Sequence, residues 1–105
     1  MFDTSGKMLR ADFEAQTRQS FANLAEILGR ANAQLSDIVT MMVHIADTRY
    51  VDRFIELRHE FFAVDSLPAS TLITTTGFAK PEMLIEITPI AVISESRAII
   101  HHDLQ

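Results

Sequence analysis

The sequence predicts an α+β domain in which two amphipathic helices cover one face of a small mixed β-sheet. Two stretches repeat apolar residues every three and four positions, as a helix that buries one stripe must. Other stretches are short, β-branched and bounded by turn residues, as strands are. The order is helix, strand, helix, strand, strand, and a length of 105 residues leaves room for a single domain over 1–105.

The chain opens on Asp3-Thr4-Ser5-Gly6-Lys7, which has the chemistry of a turn between two elements. Only Met1 and Phe2 precede it, so a strand or hairpin normally upstream is expected to be missing from this chain. Asp12 can cap a helix, and Glu14 places a negative charge at the favourable end of its dipole. Phe13, Thr17, Phe21, Leu24, Leu28 and Ala31 then form one stripe, with Arg18, Asn23, Glu26 and Arg30 largely between them. The spacing predicts a helix over about 12–33, weakened at its end by Gly29.

Leu35-Ser36-Asp37 breaks that pattern. Residues 38–46, IVTMMVHIA, are β-branched and apolar on both faces, which predicts a central strand. Asp47-Thr48 starts a second helix over 48–62. It buries Val51, Phe54, Leu57, Phe61 and Phe62 and wets Asp52, Arg53, Glu56, His59 and Glu60. After Pro68, residues 69–77 read as a strand with three consecutive threonines, and Ala79-Lys80-Pro81-Glu82 as a turn. Residues 83–93 form another strand, with Ile85, Ile87, Ala91 and Ile93 on one face and Leu84, Glu86, Thr88, Ile90 and Val92 on the other. Pro89 cannot donate to a ladder and marks an edge or a bulge. Residues 94–105 form a polar tail, interrupted only by Ala98-Ile99-Ile100.

Composition excludes several function classes. A net charge of −5 is wrong for a protein that neutralises phosphates with clustered Lys and Arg, so no nucleic acid is expected as partner. Without cysteine there is no disulfide framework, thiolate metal site or cysteine nucleophile. No apolar run approaches the roughly 18 residues of a membrane span, and no signal-peptide pattern opens the chain, so the expectation is a cytoplasmic protein with no membrane partner. Three strands from one chain leave edges and a face uncovered, and another copy of the chain is the simplest cover.

Neither metal nor cofactor is expected. His59-Glu60 begins like a zinc-protease motif, but Ala63 stands where the second histidine is needed. His44 is isolated on a strand, and His101-His102 lie in the tail. Gly6, Gly29 and Gly77 are too scattered for a phosphate loop, and no serine sits in a nucleophile elbow. The charges from Asp52 to Glu60 read as solvated helix pairs. Met41 and Met42 read as core filler. The hydroxyls of Ser70, Thr71, Thr74, Thr75 and Thr76 stand out, because a polar face on interior strands is costly unless it meets water, a ligand or a partner. Facing them on the following strand are Glu86 and Thr88.

At these residues the chain resembles the RidA/YjgF family, also labelled L-PSP. Glu14-Ala15-Gln16-Thr17-Arg18-Gln19 with Asn23-Leu24 resembles its first helix, and Leu35-Ser36-Asp37-Ile38-Val39 the lead-in to its next strand. Phe61-Phe62, Pro68-Ala69-Ser70-Thr71 and Leu84 through Val92 complete the order, so the resemblance covers about residues 3–93. It implies a chorismate-mutase-like fold, a homotrimer with clefts between subunits and, in many members, hydrolysis of reactive 2-imino acids to 2-keto acids and ammonia.

The resemblance also implies functional positions, and the sequence departs from the family at several. Active members grip the substrate carboxylate with an arginine, whose guanidinium fork matches it bidentately; that position is Ser70. A late-strand glutamate that handles the attacking water is replaced by Thr88, and a helix asparagine by Ile55. The two N-terminal strands that bring a tyrosine and a Ser-Gly pair to the cleft have no counterpart before Met1. Losing the water-handling group alone removes about 10²–10⁴ in rate.

The expected function is therefore a homo-oligomer, a trimer, that binds a small molecule in a polar intersubunit cleft. Its expected substrate-binding residues are Ser70, Thr71, Leu72, Glu86, Thr88 and Ile55. The alternatives are an enamine or imine deaminase with a rearranged site or a different substrate, and a purely structural or regulatory oligomer. The family's ribonuclease label fits the acidic charge poorly.

Overall fold

In the computed structural model, which describes residues 9–93 and 98–101, two helices pack on one face of a four-stranded mixed sheet. Helix α1 spans Leu9–Arg30. It starts before Asp12, which lies buried in its first turn rather than at its cap. Its C-terminus closes where Asn32 adopts φ 61°. The Ala33 amide then donates to Leu28 O at 2.9 Å and the Asn32 amide to Gly29 O at 3.1 Å. This pair of bonds is the Schellman arrangement, and Ala33 and Leu28 are both buried, as that motif favours. The helix thus ends short of residue 33, and Gly29 belongs to its last turn.

Strand β1, Ile38–Ile45, is central. The second helical region is only partly α-helical. Helix α2 covers Val51–Leu57, with 3₁₀ turns at Thr48–Tyr50 and Arg58–Glu60. Asp47 caps this region by accepting a bond from the Arg49 amide at 2.8 Å. Strand β2 is Ala69–Thr74, shorter than the threonine run suggests. Strand β3 is Ile85–Ile93. The turn before it is closed by the Met83 amide bonding Lys80 O at 3.1 Å, with Pro81 at the position its fixed φ suits.

The sheet order is β2-β1-β3-β4. The fourth strand, β4 at Ala98–His101, pairs antiparallel with β3 from Ile90↔His101 to Ile93↔Ala98. Within the stretch 94–105, expected to be a polar tail, Ala98–His101 completes a ladder on β3. Strand β1 pairs parallel with β2, an arrangement that requires a crossover, and α2 lies in that connection. Its pairing with β3 is antiparallel, and the register shifts between Ile38 and Thr40. Pro89, opposite Met41, stands next to this bulge and just outside the described β3–β4 ladder. The turn chemistry at residues 3–7 lies outside the described residues.

The core lies between the helices and one sheet face. Met41, Val43, Ile45, Ile85, Ile87 and Ala91 are buried there against Phe13, Phe21, Leu24, Phe54 and Leu57. Phe21 stacks on Phe61 with centroids 4.6 Å apart and meets Phe62 edge-on at 5.5 Å. The helices are joined at their wet edge by ion pairs. Arg53 on α2 donates to both Glu14 oxygens at 2.9 and 3.0 Å, and Arg18 on α1 donates to both Glu60 oxygens at 3.0 and 2.9 Å. The Arg18 guanidinium also holds the Glu60 carboxyl below its ordinary range. The charged residues from Asp52 to Glu60 thus contribute interhelical bridges as well as solvated surface. No described helix is long and apolar enough to cross a membrane.

Candidate functional site

Strand alternation decides which side chains can share a site. On β1, Met41, Val43 and Ile45 face the helices, so Thr40, Met42 and His44 face the other way. The register places Thr71 beside Met42, and Met42 beside Thr88. One rung along, Ile73, His44 and Glu86 form a second row. These side chains make an open sheet face that no described element covers.

That face is apolar and polar in patches. Met42 is 43% and Ile73 40% exposed, high for large apolar residues on strands. A shallow cavity of about 220 Å³ opens beside Met42, lined by Thr40, Met41, Met42, Thr71, Thr88 and Ile90. Its hydroxyls donate and accept hydrogen bonds, and the Met42 side chain and Ile90 provide apolar wall. Beside it, His44 Nδ1 lies 3.7 Å from Glu86 Oε1. The gap exceeds a hydrogen bond, and His44 Nδ1 is buried with no hydrogen-bond partner. Among the described residues no three His, Asp or Glu side chains gather as a cation site.

The six expected binding residues divide by side of the sheet. Thr71, Glu86 and Thr88 lie on the open face, and Thr71 and Thr88 line the same cavity. Ser70 pairs with Met41 and Leu72 with Val43, both buried towards the helices, so these two side chains lie on the other side of the sheet. The Ser70 hydroxyl donates to Pro68 O at 3.4 Å, and Leu72 packs against the core. Ile55 is half-buried on α2, in the helix layer. The threonines of β2 do not face Glu86 and Thr88 directly, because β1 runs between the two strands. Thr75 and Thr76 lie past the end of β2.

Sequence reasoning missed the contribution of β1 to this face. Thr40, Met42 and His44 alternate with buried residues, a signal legible in IVTMMVHIA only once one face is known to be uncovered. It also missed Gln16, which is buried on α1. The Gln16 side chain donates to Glu82 O and accepts from the Leu84 amide, each at 2.8 Å. That clamp fixes the start of β3 and so the placement of Glu86 and Thr88.

Comparison with known proteins matches this architecture. The family described as Endoribonuclease L-PSP matches residues 2–93. A RutC family protein of Pyrococcus horikoshii is 31% identical over 87 residues, which is 83% of this chain and 68% of that protein. A YjgF/YER057c/UK114 family member from Mycobacterium tuberculosis superposes with TM-score 0.73 at 27% identity, covering 78% of this chain and 69% of that one. A Rid family protein of unknown function from Yersinia pestis gives TM-score 0.73 at 26% identity, over 78% of this chain and 64% of that one. The chain spans 64–69% of the length of these three relatives. In sequence and in fold, this chain belongs to the RidA/YjgF (L-PSP) family.

Proposed function

We propose that the protein is a homo-oligomer, a trimer, that binds a small metabolite in a polar cleft built on the open sheet face where subunits meet. The observation that carries this reading is the composition of that face. Met42 and Ile73 are exposed on it and a cavity beside Met42 has three threonine hydroxyls at its wall, so a second copy would bury apolar surface and leave a polar pocket. Each square ångström of apolar surface so buried is worth about 25 cal/mol, which favours association before any ligand is present.

A second reading is hydrolysis of reactive imines. It is favoured by Glu86, a half-buried carboxylate on the same face that can accept a proton from an attacking water. It is opposed by the residues at two positions where the family resemblance implies an arginine and a glutamate, Ser70 and Thr88.

Sedimentation velocity at micromolar concentration tests the first reading, with a species of three times the 11.8 kDa chain mass expected. A stable monomer would refute the intersubunit cleft. A dehydratase that releases 2-aminoacrylate or 2-iminobutanoate in the presence of semicarbazide tests the second. Suppression of the semicarbazone by the assembled protein would establish hydrolysis, and an unchanged semicarbazone yield would leave ligand binding as the function.

A further inference from the structure

We propose that the site on the open sheet face selects small protonated amines and rejects carboxylates; this rests on reading that face as a ligand site. The first support is charge. Strands β1, β2, β3 and β4 contain no lysine or arginine, so no strand offers the guanidinium or ammonium that a carboxylate ligand needs. Glu86 is the one carboxylate that the strands carry. Its side chain is 16% exposed, which reduces solvent screening of its charge while leaving it reachable.

Position is the second support. Glu86 is two residues from Thr88 on the same face, a separation of about 7 Å along a strand. A ligand whose short apolar tail fills the cavity can therefore place a polar head beside Glu86. His44 Nδ1 lies 3.7 Å from its Oε1, beyond hydrogen-bond reach. That distance leaves the carboxylate oxygen open to an N–H donor, and a charge-assisted bond of this kind is roughly twice as strong as a neutral one. A carboxylate head placed at the same point would face like charge with no strand-borne lysine or arginine to offset it, which is how a site rejects a wrong ligand.

Two probes with the same isobutyl tail and opposite charge test this. The full chain with 13C-labelled methyl groups is titrated at pH 8 with isobutylamine and, separately, with isovalerate. The expected result is saturable movement of the Met42 and Ile90 methyl signals with the amine and none with isovalerate over the same range. Glu86→Gln is expected to weaken amine binding about tenfold. Isovalerate binding as well as or better than the amine would overturn the charge selectivity while leaving a ligand site on this face. Amine binding unchanged in a folded Glu86→Gln variant would overturn the role of Glu86. Methyl signals that move with neither probe would overturn the ligand site itself. If Glu86→Gln does not fold, the comparison of the two probes on the native chain decides.

Discussion

Replacing Gln16 by methionine removes a buried side chain's two hydrogen bonds while keeping its length and volume close to native. The native amide satisfies the buried Leu84 N–H and the Glu82 carbonyl at 2.8 Å each. A buried polar group left without its partner costs about 1–3 kcal/mol. Leu84 is 9% exposed and should bear most of that penalty, whereas the Glu82 carbonyl, on an exposed turn, recovers part of its bonding from water. Burying a methionine in place of the amide returns some apolar transfer energy, so the expected net loss is about 2 kcal/mol. Urea denaturation at fixed protomer concentration measures it, because association would otherwise shift the apparent stability. With an m-value of about 1–3 kcal/mol/M, the midpoint should fall by roughly 0.7–2 M at unchanged m. A loss below about 0.5 kcal/mol would refute the view that Gln16 clamps the start of β3, since that is the size of an ordinary surface substitution.

Asn32 holds φ 61°, where a β-carbon costs roughly 1–2 kcal/mol in most residues. Asn32→Gly should raise stability by about 0.5 kcal/mol and Asn32→Val lower it by at least about 1 kcal/mol, both read from denaturant midpoints. Asp47 titrates at about 2, below its ordinary 3.8, chiefly because the Arg49 side chain and amide bond the carboxylate. Its folded pKa is depressed, so its contribution is complete above pH 3.8 and is lost as pH falls through about 2. Asp47→Asn should therefore flatten the decline in thermal midpoint between pH 4 and pH 2, and an identical decline in the variant would count against that assignment.

Much of the architecture is legible in the sequence because burial imposes periodicity. The stripe from Phe13 to Leu28 could only be a helix face, and the Ile85–Ile87–Ala91 alternation only a strand face. Boundaries were less legible. The stretch 48–62 keeps helical spacing throughout, yet only Val51–Leu57 is α-helical, since 3₁₀ turns place Phe61 against Phe21 equally well. Strand β4 was not legible, because Ala98-Ile99-Ile100-His101 is too short to declare a strand until β3 supplies a partner.

The sequence by itself determined the fold class, the central position of β1, the turn at Pro81 and the family to which the chain belongs. These follow from local patterns that the chain carries wherever its elements end up. Only the tertiary structure decided what shares a face. Adjacent residues on a strand point to opposite sides, so Thr71 joins the cavity and Ser70 does not, although both carry hydroxyls. The pairing of His44 with Glu86 depends on β1 lying between β2 and β3 and on a register set across 41 intervening residues. No local pattern encodes such a register, because it is the packing of the helices on one side of the sheet that selects which row of side chains is left on the other.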